Sequence, residues 1–438
     1  CTSEDSTTLQ LAPTPGRTEV APPSPAPATD SAPSATNGGA EPTPLVPMTP
    51  LAPNADPVSD PAAPTTQTPV YAFQYLVYTD EDVTSYVVLT DSLDGARLPE
   101  ENAREFPGYA FIAASNGQLL VSDGDSPSII RYEITADLQW REVDRLSFAN
   151  YGVTAGGAGF ERHWFKDAHT AYLTSQVTQR IVWDPTDFVI RSVMDDTALP
   201  ATRDGLLLDA TFNRQPRALQ GPVLKPFYYR DEDWFRFGGT TPIAVYDPET
   251  HRESRIIEVP CPALEVATQD EAGNTYFSGW TYGPQLALFG DAPAPCVRRI
   301  KADATLDETW TPDLTTWTNG RPVHTFRYMR NGLALGTALH VDQANVDFSA
   351  GYDETAAASL EPLWRLWAFD LRSETAQEVA GLGAIGQSFN WARFDDRTFV
   401  AVPNTEWSRT KVFEIDASGN ASERFESTGW VGEWIRVR

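Results

Sequence analysis

From about residue 70 onward the sequence predicts an all-β fold, a seven-bladed β-propeller, with six or eight blades as the alternatives. Three observations carry that expectation. Short β-branched and aromatic runs alternate with Gly, Asp, Asn and Pro clusters, and no long apolar run keeps the 3.6-residue period of a helix. A weakly alternating strand, ending in an apolar residue with an Asp close behind, recurs every roughly 43 to 69 residues, near the blade period once insertions are allowed. A second hairpin signal precedes each recurrence, and two hairpins make the four-stranded antiparallel unit of a propeller.

The recurring strand is weakest at its first occurrence, Tyr86-Val87-Val88-Leu89-Thr90-Asp91. It returns at Ile130–Ile134, Ile181–Asp184, Ala244–Asp247, Val297–Ile300 with Asp303, Leu366–Asp370 and Val412–Asp416. The preceding hairpin signals include Ser115-Asn116-Gly117-Gln118, Asp270-Glu271-Ala272-Gly273-Asn274 and Arg330-Asn331-Gly332. Asn-Gly and Asp/Gly turns between apolar runs are strong local markers of hairpins. The last stretch, Trp430 to Val437, reads as one more strand that pairs with the first blade and closes the ring. A two-sheet sandwich shows similar runs, but so long a series of regular units favours the ring.

Residues 1–70 read as a lipid-anchored, disordered linker and 71–438 as the propeller domain. The linker is dominated by Pro, Ala, Thr and Ser, as in Ala21-Pro22-Pro23-Ser24-Pro25-Ala26-Pro27. Such a segment buries too little apolar surface to offset its ordering entropy. A chain beginning at Cys1 is what lipoprotein signal peptidase leaves after removing a signal peptide, so acyl chains are expected on Cys1. Thr2, rather than Asp, matches sorting to the outer membrane, with the protein at the cell surface or on the periplasmic face. No later apolar stretch approaches the ~20 residues that span a bilayer.

The formal net charge of −27 argues against nucleic acid or an anionic membrane surface as a partner. In an oxidising compartment Cys261 and Cys296 are an even pair. A disulfide between them would close a loop of about 36 residues and contribute about 3–4 kcal/mol, two free buried thiols being the alternative. Sharp chemical motifs are missing: there is no C-x-x-C, no Gly-x-Ser-x-Gly elbow and no His-Glu-x-x-His. Gly156-Gly157-Ala158-Gly159 lacks the Lys-Ser/Thr of a phosphate loop. No metal and no cofactor is expected.

Function is expected in long loops on a rigid scaffold. Propellers build one face from the links between second and third strands and from those between blades. The link near Asp123–Pro127 is short, whereas those from Gly279 to Cys296, Leu339 to Pro362 and Arg191 to Arg217 are long. These segments and the innermost strands carry Arg162, His163, Trp164, Lys225, Trp280, Tyr282, His324, Arg327, Tyr352 and Trp391 as candidate ligand-binding residues. Cations beside Trp and Tyr suit an anionic, aromatic or chelated ligand. For each residue taken singly, packing between blades or pairing with a carboxylate is the simpler account.

Thr84-Ser85-Tyr86-Val87-Val88-Leu89-Thr90-Asp91-Ser92-Leu93, behind Cys1 and a low-complexity spacer, resembles the start of one lipoprotein group. These are the propeller lipoproteins of myxobacteria associated with myxochelin-type siderophore uptake, and the related siderophore-capturing surface lipoproteins of Bacteroidetes. The resemblance implies a non-enzymatic outer-membrane protein that captures a ferric siderophore and passes it to a TonB-dependent transporter for iron transport. Two other readings remain: a protein-interaction or adhesion propeller, and a propeller enzyme such as a metal-dependent lactonase. The enzyme reading needs a converging pair such as Glu265 with Asp270, or His163 with His324.

Overall fold

The computed structural model describes residues 68–79, 82–95, 97–176, 179–195, 197–210, 221–232, 236–279, 287, 294–343, 361–386 and 389–438. Its strands form seven antiparallel sheets, the blades of a β-propeller. Cys1 and the Pro/Ala/Thr-rich segment expected as a spacer lie outside the described residues. Among those residues no helix is long and apolar enough to cross a membrane.

Blade 1 contains β1 (Tyr71–Tyr78), β2 (Val83–Thr90) and β3 (Arg104–Pro107). Blade 2 is β4 (Ile112–Ser115), β5 (Gln118–Ser122), β6 (Ser128–Ile134) and β7 (Trp140–Ser147). Blade 3 is β8 (His163–Asp167), β9 (Thr170–Gln176), β10 (Gln179–Asp184) and β11 (Val189–Asp195). Blade 4 has five strands: β12 (Thr202–Arg203), β13 (Leu206–Ala210), β14 (Val223–Arg230), β15 (Thr241–Tyr246) and β16 (Glu253–Val259). Blade 5 has β17 (Leu264–Gln269), β18 (Thr275–Gly279) and β19 (Arg298–Ile300). Blade 6 follows with β20 (Val323–Arg330), β21 (Leu333–Leu339), β22 (Trp364–Asp370) and β23 (Thr375–Glu378). Blade 7 is β24 (Asn390–Phe394), β25 (Arg397–Pro403), β26 (Arg409–Ile415) and β27 (Ala421–Thr428). The last strand, β28 (Trp430–Arg436), pairs with β1 and completes blade 1.

All seven recurrences read from the sequence are strands: β2, β6, β10, β15, β19, β22 and β26. The Asp behind them has a local role. A short carboxylate can accept the backbone N–H groups two or three residues on and so close a turn. Asp184 accepts from Thr186 and Asp187 at 2.9 Å, Asp370 from Arg372 at 2.9 Å, and Asp416 from Ser418 at 2.8 Å. At Asp247 the backbone N–H of Thr250 holds the carboxyl below its ordinary range.

One expectation is corrected here. The link from Arg191 to Arg217 is partly sheet rather than loop, since β11 continues to Asp195 and β12 and β13 follow. Asp204 and Gly205, at φ +52° and +76°, turn β12 tightly into β13.

The apolar core lies between the blades, because each sheet buries both faces against its neighbours. Leu119, Val121 and Ile130 of blade 2 pack with Val87 and Leu89 of blade 1. Trp364 and Leu366 of blade 6 pack with Trp391 and Val400 of blade 7. The disulfide Cys261–Cys296 is formed, with Cα atoms 5.9 Å apart, and ties the entry to blade 5 to the entry to β19.

Ring closure concentrates aromatic packing. Trp434 of β28, 3% exposed, has its ring centre 5.6 Å from Phe73, 6.1 Å from Phe394 and 5.9 Å from Phe399. Gly429, at φ +66°, starts the closing strand where a Cβ would lie 2.2 Å from the carbonyl oxygen of Leu76. Replacing Trp434 with Ala should therefore cost about 3–5 kcal/mol of stability. Urea unfolding followed by circular dichroism reads this directly; an unchanged midpoint would show that these rings do not hold the closure.

Candidate functional site

In an antiparallel blade, the first strand begins where the second ends and where the link to the third departs. Those starts and links therefore share one end of the ring. The links leaving β18 at Gly279 and β21 at Leu339 lie at that end, as the sequence predicts. Trp280, Tyr282 and Tyr352, placed on those links, fall outside the described residues.

Blade 3 supplies the first group. A single 3-10 turn, Phe160–Arg162, leads into β8. Glu161 and Arg162 are largely buried, with the guanidinium Nε 3.4 Å from the carboxylate. Gly159 makes room for that carboxylate, because a Cβ there would stand 2.1 Å from it. Trp164 is 5% exposed, and its indole N–H has no hydrogen-bond partner.

Lys225 of blade 4 reaches into the same region. It is 1% exposed, and its Nζ lies 5.7 Å from the Trp164 ring centre and 5.9 Å from that of Phe227. Phe227–Arg230 of β14 pairs with β13 and Val223–Pro226 with β15, and the strand lies beside β17. Burial, and next the Arg162 charge, bring the ammonium down to about 7, opposed by Asp209 and Glu265. Glu265 of β17 is 2% exposed. Arg162, Trp164, Lys225, Asp209 and Glu265 therefore form one group contributed by three blades.

His163 does not belong to it. Its ring is fully buried among Phe148, Phe160, Phe165 and Trp183. Trp183 donates its indole N–H to Nδ1 at 3.1 Å, which leaves Nε2 to donate to the Ala158 carbonyl at 3.2 Å. Burial lowers its pKa to about 3, so the ring is neutral. The expectation that His163 meets a ligand is corrected: this histidine is a satisfied part of the wall between blades 2 and 3.

The remaining candidates sit in blades 6 and 7. Arg327 is 6% exposed, with its guanidinium 5.7 Å from the Phe389 ring centre. Trp391 packs with Phe389 in the core between these blades. It is 8% exposed there. His324 lies against Trp364, ring centres 5.6 Å apart, and contacts the Thr325 hydroxyl. Thr325 has φ +43°, an unusual conformation for a β-branched residue, at an irregularity in β20. Gly336 on β21 admits this kink, since a Cβ there would be 3.1 Å from the Thr325 carbonyl oxygen. Beside the kink is a recess of about 60 Å³ lined by Ser278, Cys296, Asp313, His324 and Thr325. The sequence carries no signal for this recess, because strain at a Thr has no composition mark.

Glu265 and Asp270 do not converge. Asp270 lies in the turn at the far end of β17 from Glu265, where it binds Asn274 and Tyr276. Among the described residues no three His, Cys, Asp or Glu side chains come together to hold a metal ion.

No protein-family model and no curated protein matches the chain. Solved structures do. The periplasmic gluconolactonase of Pseudomonas aeruginosa is 11% identical over 84% of this chain and 99% of that one, with a TM-score of 0.51. A candidate 6-phosphogluconolactonase of Bacteroides fragilis is 9% identical, covering 86% of this chain and 100% of its own, at 0.49. The Cps50 (Swd1) β-propeller domain from Myceliophteria thermophila is 11% identical over 79% and 100% of the two chains, at 0.42. At such identity the first likeness establishes the propeller fold alone.

Lys225 gives the site a stability signature. Its folded pKa lies below the unfolded value, so the unfolded state binds more protons between about pH 7 and 10.5 and stability rises with pH there. Lys225→Met removes the buried charge. The variant should be more stable than the parent at pH 6 by on the order of 2–4 kcal/mol, with the gap closing towards pH 10. Denaturant titrations at the two pH values check this; a pH-independent gap would place Lys225 in solvent.

Proposed function

We propose that this chain is a non-enzymatic propeller that captures a small anionic ligand among the inner strands of blades 3, 4 and 5. A ferric catecholate siderophore is the class that fits. Its tris-chelate is a trianion with aromatic faces, and its delivery would be to a TonB-dependent transporter in the outer membrane, where a lipid on Cys1 would hold the protein.

One observation carries the reading. In a protein of net charge −27, Lys225 is sunk beside the Trp164 ring, whose buried indole N–H has no partner, and it feels the charge of Arg162. A buried donor without an acceptor costs free energy in the empty state. An anionic oxygen placed there would accept that N–H and the charge-assisted bonds of the two cations. An aromatic chelate face would also stack on the indole. Glu265 and Asp209 offset these cations, so shape and hydrogen bonding contribute beside charge.

Saturable tryptophan quenching of the full chain by a ferric tris-catecholate is expected, with a ferric hydroxamate as the comparison chelate. Lys225→Met and Arg162→Met should each weaken it about tenfold or more. Because Lys225 loses its proton near neutrality, affinity should fall as pH rises from 6 to 8.5, and Lys225→Met should flatten that dependence. Absence of saturation with both chelates would sink this reading and favour a protein partner.

A further inference from the structure

A separate feature lies over blades 7, 1 and 2. Four half-buried aromatic rings form a row: Trp430, Trp407, Tyr78 and Tyr109. Successive ring centres are 5.6, 5.4 and 6.4 Å apart, and the two indoles are stacked at 26°. Trp430 begins β28, Tyr78 ends β1, Trp407 sits on the link between β25 and β26, and Tyr109 precedes β4. By the antiparallel order of the blades, all four positions belong to the end where the first strands start.

Trp407 is held there against its backbone preference. Its φ is +53°, a region that bulky residues rarely enter and that persists only where surrounding bonds impose it. Asn404 imposes it. Its side-chain oxygen accepts the N–H groups of Ser408 and Arg409 at 2.9 and 3.2 Å, its amide donates to the Ser408 hydroxyl at 2.9 Å, and its carbonyl accepts the Trp407 N–H at 3.0 Å. Core packing has no need of an indole on a strained surface link. A fixed, partly exposed ring is what a stacking contact needs.

The chemistry around the row selects its ligand. Neighbouring Asp82 and Glu406 are exposed acids, which repel an anion. Burial, and then the other tyrosine, push the Tyr78 hydroxyl well above its ordinary range, so it stays neutral and can exchange hydrogen bonds with hydroxyl groups. The exposed parts of the four adjoining rings form a continuous apolar aromatic surface, which suits the C–H faces of sugar units.

We propose that Trp430, Trp407, Tyr78 and Tyr109 form a binding platform for a neutral polysaccharide chain. This is independent of the anion site, to which none of the four residues contributes.

The test uses the full chain and three neutral probes, maltohexaose, cellohexaose and chitohexaose, followed by calorimetry, with a polygalacturonate oligomer as the acidic comparison. Trp407→Gly removes the indole while glycine adopts the same φ without strain, so the variant should keep the parent's unfolding midpoint. At least one neutral hexaose should bind saturably, and Trp407→Gly should weaken it about tenfold. The ferric-chelate titration should not change. If Trp407→Gly proves unstable, Trp430→Leu takes its place with the same expectation. The proposal is overturned if none of the three neutral probes binds, if the folded variant binds as the parent does, or if polygalacturonate binds as tightly as the neutral chains.

Discussion

The pairing of β28 with β1 is the constraint on which the rest depends. A propeller is a stack of sheets curved into a ring, and each blade buries its apolar faces only because it has neighbours on both sides. Without the last strand, β1 would present a bare edge and the core between blades 7 and 1 would open to water. Backbone pairing from Tyr71↔Arg436 to Leu76↔Trp430 supplies the closure, and Val70 and Val437 extend it by one more pair of bonds. Two glycines permit the approach: a Cβ on Gly429 would strike the Leu76 carbonyl, and one on Gly432 the Gln74 carboxamide.

Closure also decides what faces the axis. Each blade contributes the start of an inner strand, and polar side chains there leave water together. That is how Arg162, Lys225 and Glu265, far apart in sequence, come to share one environment. Lys225 is 1% exposed on β14, and a lysine so deep is costly to charge.

Much of this fold was legible because its signals are local. The Asp behind most of the recurring strands closes its own turn, so Asp184, Asp370 and Asp416 mark strands without any tertiary information. The Cys pair and the closing strand after Gly429 were readable for similar reasons. Site residues were less legible because burial is decided between blades. His163 looked like a ligand-facing imidazole, but Phe148 and Trp183, its neighbours, arrive from separate strands. Trp391 looked like a rim aromatic and is core, since blade 6 covers it. Lys225 was visible as a cation, yet its depressed pKa follows from burial and the nearby Arg162 charge, which no composition reveals. Thr325 and Trp407 were invisible for a further reason: positive φ at a Thr or a Trp contradicts residue preference and cannot be read from it.

Those two strained residues say something about the end of the ring where the inner strands begin. Backbone strain persists where bonding over-determines it, and it concentrates where a surface must hold a shape that packing alone would not choose. Thr325 borders a recess behind the disulfide, and Trp407 anchors an aromatic row three blades long. Positive φ at a bulky residue is not confined to that end, since Leu138, Phe188 and Glu374 adopt it in the turns between third and fourth strands. The buried cations belong to blades 3 and 4 and the aromatic row to blades 7, 1 and 2, so the two proposed sites draw on different groups.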